Sequence, residues 1–148
     1  MGAATLKSPL LAFDDALLIP QYSTVESRKD VDLSCDLGSN LELKIPIISS
    51  PMDTVTETEM ASAMSALGGL GIIHRYNSID DQAAMVRKVS GLVGAAIGIA
   101  GDFEERSTAL YDAGARVLCL DVAHGHHVLM ERALKTLKDI YGNDVHLM

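Results

Sequence analysis

The sequence predicts an α/β fold in which short apolar strands alternate with amphipathic helices. A unit made of an apolar run, a capped helix and a terminating glycine occurs four times, at a spacing of roughly 25 residues. The runs are continuously apolar, which is typical of parallel strands that are buried on both faces. A fifth run follows at residues 145–148. We therefore expect four strand–helix units and a fifth strand in one parallel sheet.

In the first unit, residues 45–50 form the apolar run, and Thr56 and Glu59 predict a capping box at the start of a helix. The apolar face of that helix has i, i+3, i+4, i+7 spacing and consists of Met60, Ala63, Met64 and Leu67. Gly68 and Gly69 predict its end.

The later units repeat this pattern. Their strands are predicted at residues 70–73, 92–99 and 117–120. Ser78 and Asp102 are the candidate N-caps of the second and third helices. Residues 1–44 show no regular period, so we expect an N-terminal arm over 1–44 and a domain over 45–148. An open doubly wound sheet and part of a closed barrel both fit this pattern. A GxGxxG turn is missing after every predicted strand.

Composition limits the function classes. The 148 residues carry a net charge of -8 and are 48% hydrophobic, which argues against nucleic acid and anionic membranes as partners. The start of the sequence lacks the features of a signal peptide, and the longest apolar stretch is too short for a bilayer. The two cysteines, Cys35 and Cys119, suit a reducing compartment. We expect a cytoplasmic protein.

Polar residues cluster where the predicted strands end, which is where α/β folds bind ligands. Ser50 and Asp53 follow the first strand, His74 and Arg75 the second, and Asp121 the fourth. Taken singly, Asp53 is better explained as part of a helix-cap loop and His74 and Arg75 as a surface turn, whereas Asp121 stands at a position typical of ligand contact. Three further histidines follow Asp121, but the spacing is weak evidence for a metal and we expect none. Cys119 is expected to be a buried, inert thiol.

These strand ends also carry a family resemblance over about residues 10–148. The segments at 13–20, 47–56, 68–75 and 120–126 resemble, in order, four motifs of the IMP dehydrogenase/GMP reductase family. The resemblance implies a (β/α)₈ TIM barrel, of which this chain covers the first four βα units and the start of strand five. It also implies a purine nucleotide substrate and an NAD(H) or NADP(H) cofactor. In this family a cysteine thiolate attacks the purine C2, and a hydride passes between C2 and the nicotinamide.

The resemblance assigns site residues by position. Those matched to the nucleotide site are Ser50, Met52 and Asp53. Those matched to the cofactor site are Ser27, Arg28, Arg75, Asp121, Val122 and Ala123, with Ser27 and Arg28 in a segment that reaches a neighbouring subunit. The implied assembly is a homo-oligomer.

The branch within the family is less sharply indicated. IMP dehydrogenases usually insert two CBS modules between the second helix and the third strand, whereas residues 89–93 pass directly across. Ser27, Arg28, Val122 and Ala123 also look more like GMP reductase. Residues 49–53 and 68–71 look more like IMP dehydrogenase. We favour an NADPH-dependent GMP reductase, with an NAD-dependent IMP dehydrogenase as the alternative.

The family's catalytic cysteine loop and phosphate-binding loops follow the fifth strand, as does its possible monovalent cation site. We therefore expect no catalytic residue in this chain, and little activity from it alone. A non-catalytic module that binds a nucleotide or a partner is a further alternative. We also expect association with a second half or a second copy. Half a barrel would have two open sheet edges and an uncovered inner face, with Ile47, Ile72, Ile97 and Leu118 on it.

Overall fold

The computed structural model describes residues 11–38 and 41–148. The chain divides into two units, Met1–Asp32 and Leu33–Met148. In the described part of the first unit, two short 3-10 helices, Phe13–Asp15 and Arg28–Asp30, interrupt extended chain. Its large apolar side chains, such as Phe13 and Leu18, are almost fully exposed.

The second unit begins with a small antiparallel hairpin of β1 (Cys35–Asp36) and β2 (Glu42–Leu43). Alternating strands and helices follow it, which confirms the predicted four strand–helix units and fifth strand. Their bounds are β3 (Ile48–Ser49), α1 (Thr58–Leu67), β4 (Leu70–Ile73), α2 (Ile79–Arg87), β5 (Gly94–Ile97), α3 (Phe103–Ala113), β6 (Val117–Leu120), α4 (Val128–Tyr141) and β7 (His146–Leu147).

The five strands β3 to β7 form one parallel sheet in sequence order, so β3 and β7 lie at its edges among the described strands. The first strand is shorter than predicted. The N–H groups of Lys44 and Ile45 both donate to one carbonyl, that of Gly68. Regular pairing of the first strand with β4 begins only at Ile48. Because all five strands are parallel, their carboxyl ends lie at the same end of the sheet.

The two faces of the sheet are covered differently. One face packs against the helices and contains Ile97 and Leu118, both 0% exposed. The other face contains Ile72 and is covered by the hairpin residues Leu41 and Leu43. The predicted inner face was therefore wrong for Ile97 and Leu118, because side chains alternate along a strand.

Helix ends agree with the sequence in part. Ser78 caps α2, where its hydroxyl accepts from the Asp81 N–H at 3.1 Å, and Gly68 ends α1 in the left-handed conformation. The capping box predicted at Thr56 was wrong, because the N-cap of α1 is Glu57 and the Thr56 hydroxyl faces the preceding strand end. Asp102 is the N-cap residue of α3 as predicted, but its carboxylate accepts from Arg106 and makes no capping hydrogen bond. A capping residue satisfies helix N–H groups only where no stronger partner competes for its oxygen.

Small residues bring α1 against β4. A Cβ placed on Gly71 would lie 2.5 Å from Ala61 Cα and 2.9 Å from Ala61 Cβ, which is closer than real Cβ atoms approach. Ala61 is itself 0% exposed. The helix therefore packs directly against the strand, and this contact limits how far the loop before α1 lies from the sheet.

Candidate functional site

The candidate site lies at the carboxyl end of the parallel sheet. Three polar residues directly follow strands of the sheet: Ser50 follows β3, His74 follows β4 and Asp121 follows β6. Parallel pairing puts all three at the same end, as the sequence predicted. Strand ends in this arrangement present polar groups to one shared surface.

Arg75 and Asp121, both predicted cofactor residues, are brought together across the sheet. Arg75 Nη2 donates to the Asp121 carbonyl at 3.2 Å. Arg75 Nε lies 3.4 Å from Asp121 Oδ2, an ion-pair contact without hydrogen-bond geometry. The two side chains are 35% and 28% exposed, so they remain accessible. We call Arg75 and Asp121 the central pair.

The central pair spans β5, which lies between β4 and β6. Gly98 follows that strand, and a Cβ built there would lie 3.9 Å from Arg75 Nη1. That distance is an ordinary van der Waals contact, so the guanidinium lies next to the end of β5. The Asp121 N–H donates to the Ile97 carbonyl at 2.9 Å, which fixes the backbone of Asp121 beside β5.

The predicted nucleotide residues lie on the loop between β3 and α1, residues 50–56, which we call the edge loop. Ser50, Met52 and Asp53 are exposed, with Met52 at 50%. Thr56 is 0% exposed, and its hydroxyl lies 2.6 Å from the Ser50 carbonyl and 3.0 Å from Ser49 Oγ. This buried threonine ties the end of the loop to its beginning.

His74 connects the end of β4 to Glu57, the residue that precedes α1. The ring is 3% exposed, and its Nδ1 accepts from the Tyr76 N–H at 3.2 Å. The ring proton of the neutral imidazole is therefore assigned to Nε2, which lies 3.3 Å from Glu57 Oε1. Sequence reasoning missed the roles of Thr56 and Glu57, since the pattern places both in an ordinary helix start.

Cys119 is half-buried, which corrects the prediction of a fully buried thiol. Burial, and then the negative charge of Asp121, raise the pKa of Cys119 above its ordinary value of 9.0. A raised pKa keeps the sulfur protonated at neutral pH, the opposite of what an activated nucleophile needs.

The remaining predicted cofactor residues belong to both units of the chain. Val122 is half-buried and Ala123 is exposed, and both continue the strand end after Asp121. Ser27 and Arg28 belong to the first unit, where the Ser27 hydroxyl accepts from the Lys29 N–H at 3.3 Å.

The three histidines after Asp121 have ordinary structural surroundings. His127 is the N-cap of α4, and its Nδ1 accepts from the Leu129 N–H at 3.1 Å. Over residues 11–38 and 41–148, no group of three or more His, Cys, Asp or Glu side chains is placed to hold a metal ion. None of the helices in these ranges has the length and apolar character needed to cross a membrane.

Several known proteins are similar in sequence to part or most of this chain. The chain is 57% identical over 79 residues to the GMP reductase of Leishmania donovani, a match that covers 53% of this chain and 16% of that protein. It is 58% identical over 79 residues to the inosine-5'-monophosphate dehydrogenase of Bacillus subtilis, with the same coverage of 53% and 16%.

A longer match is to the inosine-5'-monophosphate dehydrogenase of Cryptosporidium parvum, 36% identical over 181 residues, covering 91% of this chain and 44% of that protein. The chain thus spans less than half of the length of these relatives. The family model described as the IMP dehydrogenase / GMP reductase domain matches residues 10–148. Together with the parallel sheet and its polar strand ends, that match means that the chain belongs to the IMP dehydrogenase/GMP reductase family.

Proposed function

We propose that this chain forms part of an NADPH-dependent GMP reductase, which converts GMP to IMP and ammonia. The observation that carries the proposal is the central pair: a cation and a carboxylate held together at the carboxyl end of the sheet. Family membership gives the reaction class, purine-nucleotide oxidoreduction. The nicotinamide cofactor supplies the hydride when it is bound.

The central pair fits such a cofactor chemically. The Asp121 carboxylate is accessible and can accept hydrogen bonds from ribose hydroxyls. Arg75 supplies a positive charge for a phosphate or a carboxamide oxygen, and Gly98 adds no side chain between them. Val122 and Ala123 offer an apolar surface beside the carboxylate. These residues would bind and orient the cofactor.

The nucleotide would meet the edge loop. Ser50 and Asp53 offer a hydroxyl and a carboxylate, and Met52 offers a polarisable apolar surface to a purine ring. All three are exposed. Binding at this loop and at the central pair would bring the two ligands to the same end of the sheet.

Two observations favour GMP reductase over IMP dehydrogenase. Helix α2 ends at Arg87 and β5 begins at Gly94, so the connection has no space for CBS modules. Val122 and Ala123, with Ser27 and Arg28 in the arm, also favour the reductase. The alternative is an NAD-dependent IMP dehydrogenase acting on IMP, which residues 49–53 favour. Relatives of both names have similar identity to this chain.

We further propose that residues 45–148 are half of a (β/α)₈ barrel and that residues 1–44 are an arm. A barrel has no sheet edges, whereas β3 and β7 each have one strand neighbour among the described strands. The edge residues Ile47 and Ile48 are 55% and 37% exposed. We expect a second half or a second copy to cover these edges. Light scattering behind a sizing column should show a dimer or larger species, and a stable monomer would contradict the expectation.

Calorimetric titration tests the site assignment. We expect Asp121→Ala to weaken NADPH binding by on the order of 1 kcal/mol for each ribose hydrogen bond lost. GMP binding should stay close to that of the unchanged protein. The matched control is Asp112→Ala, which removes an exposed carboxylate from α3, away from the strand ends. If Asp121→Ala weakens GMP binding instead, the cofactor assignment is wrong.

A non-catalytic role, binding a nucleotide or a partner, is the other class of function. The raised pKa of Cys119 favours it for the chain alone, because that thiol is poorly suited to attack a purine. We expect no oxidation of NADPH with GMP, and no reduction of NAD with IMP, as followed by cofactor absorbance. Turnover that disappears in Cys119→Ala would show that Cys119 is the nucleophile.

A further inference from the structure

Arg106 is a charged side chain from α3 that is only 9% exposed. Its Nη1 and Nη2 each donate to the Asn77 carbonyl at 3.3 Å. Its Nη1 also donates to Gln82 Oε1 at 2.8 Å. Asp102 Oδ2 accepts from its Nε and Nη2 at 3.1 and 2.8 Å. A guanidinium has the several rigidly placed donors that such a junction needs.

Gln82 lies on α2 and is 0% exposed. Its Nε2 donates to two strand-end carbonyls, Ala96 in β5 at 2.8 Å and Ile73 in β4 at 3.3 Å. Its amide oxygen accepts from Arg106. The side chain therefore connects the ends of two neighbouring strands to the buried guanidinium.

Together these contacts hold both ends of one short loop. Ile73 is the last residue of β4, and Asn77 lies just before the cap of α2. Gln82 fixes the first point and Arg106 fixes the second. Arg75 lies midway between them, and its side chain reaches Asp121. Neither Gln82 nor Arg106 hydrogen-bonds to Asp121. Arg106 acts on the central pair through this loop, whereas Gln82 also bonds to Ala96 of β5, the strand whose Ile97 carbonyl accepts from the Asp121 N–H.

We propose that Arg106 and Gln82 are positioning residues that hold the Arg75 loop so that Arg75 reaches Asp121 across β5. The proposal rests on the proposed function only for its consequence, which is that this pair meets the cofactor. The geometry of the pair itself can be measured without any ligand. A supporting residue that fixes a binding side chain acts through orientation and not through contact with the ligand.

The test compares Arg106→Met with Ser107→Ala, a neighbour on the same helix. Ser107 is 0% exposed, and its hydroxyl contacts Tyr141 and the Glu104 carbonyl. Its loss should destabilise α3 without touching the Arg75 loop. In nuclear magnetic resonance spectra, Arg75→Lys identifies the signal of the Arg75 Nη2–H, the proton that donates to the Asp121 carbonyl. We expect Arg106→Met to speed hydrogen exchange of that proton by about tenfold, while Ser107→Ala leaves it unchanged. Equal exchange rates in both variants would overturn the proposal.

Two additions keep the test decisive. If Arg106→Met does not fold, Arg106→Lys replaces it, because one ammonium group cannot hold the three partners of the guanidinium in the same geometry. Titration with NADPH then gives a second readout, in which Arg106→Met should raise Kd by about tenfold and Ser107→Ala should not. If the unchanged protein does not bind NADPH, the proposed function fails, and the exchange of the Arg75 proton still decides the positioning role.

Discussion

The edge loop and the central pair differ in how much of the chain supports them. The edge loop leaves β3, which has a single strand neighbour, β4, among the described strands, and its candidate ligand residues are exposed. The central pair connects the ends of β4 and β6, each of which has strands on both sides. The candidate cofactor residues Arg75 and Asp121 therefore follow strands with a strand neighbour on each side, whereas the candidate nucleotide residues follow an edge strand.

The largest expected effect compares a central strand with the edge strand. Leu118→Ala in β6 removes a side chain that is 0% exposed and should lower the free energy of unfolding by about 2–5 kcal/mol. Ile48→Ala in β3 removes one that is 37% exposed and should cost about 1–2 kcal/mol. Urea unfolding followed by circular dichroism measures both. Equal losses would mean that β3 is as firmly packed as the centre.

A smaller effect should appear inside the edge loop. Thr56→Val keeps the shape of the side chain but removes the hydroxyl that bonds to Ser50 and Ser49. We expect a loss of about 1 kcal/mol, because the hydrogen bonds of the buried Thr56 hydroxyl are lost, and faster amide exchange in the edge loop. The matched control is Thr108→Val, whose exposed hydroxyl donates to the Glu104 carbonyl at 3.0 Å. If the two variants lose similar free energies of unfolding, the buried Thr56 hydroxyl stabilises the protein no more than an exposed one does.

The smallest expected effect concerns Cys119, next to the central pair. Its folded-state pKa is raised above 9.0, so the folded protein holds the thiol proton more tightly than the unfolded chain does. The resulting stabilisation is complete below pH 9 and is lost as the pH rises through the raised pKa.

Alkylation by iodoacetamide in a Cys35→Ser background checks this expectation. Cys119 should react more slowly in the folded protein than in urea at pH 8 to 9, a range chosen around its ordinary pKa of 9.0. Asp121→Asn should speed the folded-state reaction only slightly, because burial is the larger cause and the Asp121 charge the smaller. A large increase in the alkylation rate would mean that the Asp121 charge, and not burial, is the larger cause of the raised pKa.

Sequence reasoning succeeded where one local signal determines the structure. Continuous apolar runs and terminating glycines predicted the parallel strands and most helix ends. Arg75 and Asp121, which the resemblance assigns to the cofactor, are in contact in the structure, and their binding role stays a prediction. Sequence reasoning failed where another nearby group is the partner of a predicted capping side chain. The Asp102 carboxylate pairs with Arg106, and the Thr56 hydroxyl bonds to Ser50. It also missed that Leu41 and Leu43 cover one sheet face, since a short hairpin has no periodic pattern.

The contact between Gly71 and Ala61 has a consequence for how this family can vary. Neither residue carries a functional group, yet any enlargement of either one would lift α1 from β4 and with it the loop that bears Ser50 and Asp53. The two positions should therefore change together or not at all across related sequences. Selection for ligand binding would then keep Gly71 and Ala61 small, although both lie in the core and neither can touch the ligand.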